Sequence, residues 1–171
     1  GATDLQIDPR NPDVLYAATW QRHRTVASYM GGGPKSGIYK SIDGGNTWQK
    51  LKTGLPSGSL GKIGLAISLQ NPDVLYAAIE TKLKKGGFYR SADRGMSWSK
   101  QSDQISAGTG PHYYQEIWAC PHQFDRVYFA NNYFKVTNDG GKTFKSVGKA
   151  YKHVDNHAVA FKANDPDYLR V

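Results

Sequence analysis

The chain has 171 residues, a formal net charge of +8 and 39% hydrophobic residues against 21% charged ones, a balance that argues for a folded core and against a disordered tail. No apolar run approaches the roughly 18 residues of a spanning helix, and no secretory signal peptide is evident. A single cysteine, Cys120, excludes an internal disulfide and any cysteine pair for a metal.

The chain opens with a short strand, Leu5 to Asp8, that enters a turn and leaves it through Asn11-Pro12-Asp13-Val14-Leu15-Tyr16-Ala17-Ala18. This segment returns nearly unchanged as Asn71-Pro72-Asp73-Val74-Leu75-Tyr76-Ala77-Ala78, in degraded form as Gln123-Phe124-Asp125-Arg126-Val127-Tyr128-Phe129-Ala130, and again from Asp165-Pro166-Asp167. Pro and Asp form the turn, and an apolar strand leaves it. The later entering strands are Ile63 to Ser68, Tyr114 to Ala119 and His157 to Phe161.

A second repeat interlocks with the first. A third strand in each unit (Gly37 to Lys40, Gly87 to Arg90, Tyr133 to Val136) leads into a turn of pattern hydroxyl, x, Asp, x, Gly, x, hydroxyl, aromatic. Its copies are Ser41, Asp43, Gly45, Thr47 and Trp48; then Ser91, Asp93, Gly95, Ser97 and Trp98; then Thr137, Asp139, Gly141, Thr143 and Phe144. The carboxylate can accept the turn's own donors, the Gly supplies a positive φ, and the aromatic folds over the turn. These residues are therefore read as structural, not catalytic. A fourth strand follows: Thr47 to Leu51, Ser97 to Gln101, Thr143 to Val147.

Four short antiparallel strands per unit of roughly 50 residues, with no helical periodicity, predict an all-β fold: the arc of a β-propeller. Its complete blades span 3–52, 61–102 and 113–148, and half of a fourth spans 156–171. A propeller ring needs at least four blades, so the expected first partners are the remaining blades of a larger propeller, or neighbouring chains.

Strand alternation puts every Asn-Pro-Asp turn and every aspartate turn at one end of its blade. The opposite end carries the longer loops, Trp20 to Ser36 foremost, and loops of that length are often functional. Trp20, Arg22, His23 and Arg24 precede a flexible Gly31-Gly32-Gly33-Pro34; they can stack on a sugar or clasp a carboxylate, or simply fill the gap between blades. His153, Asp155 and His157 alternate, which on an extended strand turns all three to one face, yet three ligands from five residues are strained and no fourth is evident. No metal or other cofactor is expected. His112 and Tyr113 open the third blade toward the same channel, completing the ligand-binding candidates. The cluster Lys82-Leu83-Lys84-Lys85 reads as a solvated loop, the remaining basic charge is dispersed, and nucleic acid is not a favoured partner. Cys120 follows apolar Ile117-Trp118-Ala119 and reads as a buried thiol.

The aspartate turns resemble the Asp-box (bacterial neuraminidase) repeats of sialidases, sortilin-type receptors, xyloglucan-degrading glycosidases and photosystem II assembly factors. Together with the Asn-Pro-Asp-Val-Leu-Tyr-Ala-Ala segments and the stretch from Trp20-Gln21-Arg22 to Gly37-Ile38-Tyr39-Lys40-Ser41, they are most similar to large bacterial proteins with a sortilin-like propeller. The resemblance implies a propeller working outside the cytoplasm, in the periplasm, at the cell surface or beyond. It leaves function open, because the repeat serves hydrolases, receptors and assembly factors alike. The expected function is non-catalytic binding or scaffolding, with loops presented to a protein, peptide or glycan. The alternative is a sialidase-like or xyloglucanase-like glycoside hydrolase with catalytic residues partly outside this segment. The loop-end acids available to it are Glu80, Asp103, Glu116 and Asp155, and a hydrolase needs two carboxylates about 5 to 10 Å apart.

Overall fold

The computed structural model describes residues 1–81, 85–105, 115–130, 133–148, 153, 155–166 and 168–171. Among them every regular element is a strand. Strands β1 (Ala2–Asp8), β2 (Asn11–Thr19), β5 (Gly37–Ser41) and β6 (Gln49–Lys50) form the first four-stranded antiparallel sheet, in that order. The second holds β7 (Leu60–Ile67), β8 (Leu75–Thr81), β9 (Lys85–Ser91) and β10 (Ser99–Ser102). The third holds β11 (Ile117–Ala119), β12 (Val127–Phe129), β13 (Lys135–Thr137) and β14 (Lys145–Ser146). A last pair, β15 (Ala160–Phe161) with β16 (Leu169–Arg170), begins a further sheet.

The sheets stand as successive blades. Inner strands β1, β7 and β11 lie beside one another, and an apolar layer fills each gap between neighbours. Tyr16, Ile38, Leu65 and Trp98 pack between the first two blades; Tyr76, Phe88, Ile117 and Phe129 between the next two; Tyr128 and Phe134 against Phe161 and Leu169 beyond. Every residue of β7 is buried because its blade is covered on both faces, whereas at equivalent positions Leu65 is 0% and Leu5 54% exposed. In the middle blade the inner strand is thus a run buried on both sides.

The aspartate turns close as expected. Asp43 accepts from the Ser41 hydroxyl at 2.7 Å, the Thr47 amide at 2.9 Å and the Thr47 hydroxyl at 2.6 Å. Asp139 repeats this with Thr137 (2.7 Å) and with the amide and hydroxyl of Thr143 (2.9 and 2.6 Å), and Asp93 with Ser91 and Ser97. The first hydroxyl also accepts the glycine amide, at 2.9 Å in all three turns. The indoles of Trp48 and Trp98 then donate to the Gly45 and Gly95 carbonyls, at 2.9 and 3.1 Å. Phe144, which lacks that donor, packs edge-on against Phe88 with ring centroids 5.2 Å apart. In every blade the aspartate turn is bonded to the Asn-Pro-Asp-type turn: Gly44, Arg94 and Gly140 donate backbone N–H to the carbonyls of Asp13, Asp73 and Asp125.

Each blade is also fastened to the next at this end. Tyr16 Oη and Lys40 Nζ both reach the Arg94 carbonyl, at 3.2 and 2.9 Å. Tyr76 Oη and Arg90 Nε, the register-equivalent pair one blade on, both reach Asp125 Oδ1, at 2.7 and 2.9 Å. Arg10 spans from the first blade to Asp73 of the second at 2.8 Å. Burial raises the phenol pKa values of both tyrosines, Tyr16 to about 12, so they stay neutral donors.

Two sequence expectations need correction. Trp20 to Ser36 is not simply a loop: β3 (His23–Arg24) and β4 (Tyr29–Met30) pair within it. The entering strand expected over His157 to Phe161 shrinks to β15.

Removing one turn carboxylate orphans several donors at once, so Asp139→Ala is expected to destabilise the fold by about 1–3 kcal/mol in urea unfolding. Hydrogen bonds hold the Asp43 and Asp139 carboxyls down to about 2 and lower Asp93 as well. A lowered folded-state pKa gives stability that is present above the ordinary carboxyl range and lost as pH falls through the folded value. The melting temperature is therefore expected to decline between about pH 4 and pH 2. Asp139→Asn is expected to shallow that decline; an unchanged slope overturns the assignment.

Candidate functional site

The loop end of the arc carries the exposed chemistry. Its largest feature is the β3–β4 hairpin, which stands off the first blade. Trp20 anchors it: the ring is buried, and its indole N–H donates to the Gly31 carbonyl at 2.8 Å. The Trp20 amide and carbonyl are paired with Gly1, at 2.8 and 3.0 Å. Gln21 braces the segment before β5, its side-chain Oε1 accepting the Lys35 backbone amide at 3.0 Å and its backbone N–H donating to Ser36 Oγ at 2.9 Å. Thr25 and Ser28 close the tip, the hydroxyl of Thr25 accepting the Ser28 amide at 3.0 Å.

Beyond this anchor every residue from Arg22 to Met30 is exposed. The Arg22 guanidinium sits 5.2 Å from the centre of the Trp20 ring. His23 and Arg24 form the first strand of the hairpin. Val26 at the tip, Tyr29 and Met30 on the return strand are exposed apolar residues, the latter two by 50% and 46%. Clustered exposed cationic, aromatic and thioether groups are the usual material of an interface.

The other candidates divide. His112 and Tyr113 lie outside the described residues. His153, Asp155 and His157 are exposed near the entry to β15. The left-handed Asp155 breaks the alternation on which their shared face depended, and no group of three metal-ligating side chains occurs among the described residues. Trp20 is occupied as the plug between the hairpin and its blade, so of the tryptophan–arginine set only Arg22, His23 and Arg24 are presented outward. Cys120 is buried.

Sequence reasoning named Glu116 as a loop-end acid but missed the charged cluster that it forms with Asp4 and Lys62 on the inner strands. Asp4, Gly64 and Glu116 occupy equivalent positions on successive inner strands. Asp4 Oδ2 accepts the Leu65 amide of the next blade at 2.9 Å and Oδ1 accepts from Gln6 at 2.9 Å; burial nonetheless raises its pKa, with a smaller contribution from the charge of Glu116. Glu116 pairs with the Lys62 ammonium of the preceding blade through Oε1, while its Oε2 is buried without a hydrogen-bond partner. Gly64 leaves the room, since a Cβ there would overlap the Gln115 carbonyl. Of the other loop-end acids, Asp103 is paired with Lys100 at 2.6 Å.

No family model and no curated protein matches the chain. Solved structures do. YCF48 bound to D1 peptide aligns over 85% of this chain and 39% of its own length, at 14% identity and a TM-score of 0.58. The GH74 enzyme of Niastella koreensis aligns over 86% of this chain and 22% of its own, at 19% identity and a TM-score of 0.57. The GH74 xyloglucanase of Xanthomonas campestris aligns over 87% and 23%, at 19% identity and a TM-score of 0.56. At such identities the likeness concerns the fold: this chain is an all-β arc of propeller blades. It spans about two fifths or less of the length of these relatives.

Anchor and presented surface separate by substitution. Trp20→Ala is expected to cost about 3–5 kcal/mol, as large-to-small changes at packed aromatics do. The double change Arg22→Ala and Arg24→Ala is expected to move stability by less than about 0.5 kcal/mol. Thermal melts of the variants check both; a large loss from the arginine pair removes them from the presented surface.

Proposed function

We propose that this chain belongs to a non-catalytic binding propeller, whose loop end takes a protein or peptide partner through the β3–β4 hairpin. The observation that carries this reading is the exposure of Val26, Tyr29 and Met30 beside Arg22, His23 and Arg24, on a hairpin whose anchor is fully bonded. A bonded root with an exposed apolar and cationic tip is suited to contact, the arginines choosing acidic partners and the aromatic supplying buried area. The solved propeller YCF48 with a bound peptide supports a protein partner for this fold. The Asp-box resemblance, extended to sortilin-like bacterial proteins, supports the same role at the cell surface, in the periplasm or outside the cell.

The second reading is a glycoside hydrolase, favoured by the GH74 likeness and by the raised pKa of Asp4 near the charge of Glu116. Against it, both carboxylates serve as blade-to-blade fasteners, Asp4 on Leu65 and Glu116 on Lys62.

One experiment separates them. Peptides selected by phage display on the purified protein are re-measured on the triple variant Val26→Ser, Tyr29→Ser, Met30→Ser, alongside reducing-sugar assays with xyloglucan and sialosides. The expected result is at least a tenfold affinity loss, about 1.4 kcal/mol or more, with an unchanged melting temperature and no sugar release. Polysaccharide turnover establishes the hydrolase instead, and unchanged peptide affinity removes the hairpin from the site.

A further inference from the structure

A cavity of about 360 Å³ opens at the loop end between the first and second blades. Its walls are the side chains of Ile38, Leu51, Leu55, Leu60, Ile63 and Ile79. Ile38, Leu60, Ile63 and Ile79 are buried, and Leu51 and Leu55 pack against them from the connection between blades. The volume lies near the lower end of the range typical of small-molecule pockets.

The polar groups at this cavity are of one sign. Lys50 and Lys52 line it together with Ser57, and no carboxylate does. Lys50 is held in place, its ammonium donating to the carbonyls of Pro34 and Ser36, each at 2.8 Å. An ammonium has three N–H donors, so one remains beyond these two bonds, and the Tyr39 ring centre lies 5.7 Å from the same ammonium. The repeat supplies an internal control. Lys100 is the equivalent lysine one blade on, and it is neutralised by Asp103 at 2.6 Å. The position equivalent to Asp103 is Thr53, and Lys50 makes no ion pair among the described residues. Burial, followed by the charge of Lys52, lowers the Lys50 pKa, which is the response of an ammonium lacking its counter-charge.

We infer that this interblade cavity binds a compact apolar carboxylate, its hydrocarbon part against Ile38, Leu60, Ile63 and Ile79 and its carboxylate between Lys50 and Lys52. The carboxylate takes the place that Asp103 fills beside Lys100. A charge-assisted hydrogen bond from a pre-positioned ammonium fixes the head, and burial of the tail supplies the remaining affinity. Two sources share this chemistry: a free small acid, or the terminal residue of a peptide with an apolar side chain. The site is separate from the β3–β4 hairpin, so it stands or falls independently of the partner proposed there.

The test is an amide-resolved NMR titration of the intact chain. The probes are 4-phenylbutyrate, its neutral analogue 4-phenylbutan-1-ol, and N-acetyl-leucine as the peptide-terminal source. The expected result is saturable shifts at Ile38, Leu51, Leu55, Leu60 and Ile79 with an acid, with the alcohol at least about tenfold weaker. The stronger of the two acids identifies the source. Lys52→Gln, at an exposed position, is expected to weaken acid binding by about two- to fivefold while leaving alcohol binding unchanged. Leu55→Trp, which fills the cavity, is expected to abolish both; Lys52→Gln keeps the test decisive if that variant folds poorly. The hairpin triple-serine variant is expected to bind the acids as the wild type does. No saturable shift with either acid, equal binding of acid and alcohol, or indifference to Lys52→Gln each overturns the proposal.

Discussion

The fold depends on how the turn of one blade seats on the face of the blade before it. Gly95, at φ 79°, lies against Leu51 and Tyr16 of the first blade, and a Cβ there would stand 2.9 Å from Leu51 Cδ1. Gly141, at φ 98°, lies against Phe88 so closely that a Cβ would overlap the ring. The aspartate makes this seating possible: by gathering two hydroxyls and a backbone amide it fixes the turn's shape, and the glycine then presents bare backbone to its neighbour. The residue that follows, Trp98 or Phe144, drops into the same interblade layer. The hydroxyl-Asp-Gly-hydroxyl-aromatic pattern thus answers a local demand and an interface demand together. That is why it recurs with so little variation.

The same constraint divides the molecule into two ends. At the turn end, polar fasteners join each blade to the next: Arg10 to Asp73, Tyr76 and Arg90 to Asp125, Ser102 to the Gly141 carbonyl at 2.6 Å. Among the described residues the loop-end links, Asp4 to the Leu65 amide and Glu116 to Lys62, differ from blade to blade. Local opening is easiest where few apolar contacts hold the backbone, so the stiff end acts as the frame for the variable one.

How much of this is readable from sequence follows from the same division. The turns and the strand order are legible because the repeat states them three times over, and the burial of Cys120 because apolar Ile117-Trp118-Ala119 leads into it. The β3–β4 hairpin is not: its strands are two residues each, and neither buries a face that would leave a period-2 signal over Trp20 to Ser36. The Asp4, Lys62 and Glu116 fasteners are also illegible, because their meeting depends on how inner strands of different blades line up. The expectation of a shared face for His153, Asp155 and His157 fails for a residue-level reason. Alternation holds only in extended backbone, and Asp155 is left-handed.

These failures share a cause that bears on function. A repeat is kept where every blade must do the same mechanical task, so a position matching its counterparts is accounted for by the fold. A position that departs from them is not. Thr53 stands where the next blade has the Asp103 that neutralises its lysine. Val136 stands where the earlier blades have Lys40 and Arg90, and no cation leaves the third blade at that point. Asp4 and Glu116 flank a glycine at the equivalent place on the middle blade. The first blade alone, among the described residues, raises a hairpin between its second and third strands. Specific chemistry in this arc is therefore concentrated where the repeat is broken, and the breaks at the hairpin and beside Lys50 both lie at the loop end. The two ends are still joined through the connections between blades: the Thr53 carbonyl accepts the Trp98 amide of the next aspartate turn at 3.0 Å, so a change beside Lys50 reaches that turn through one residue.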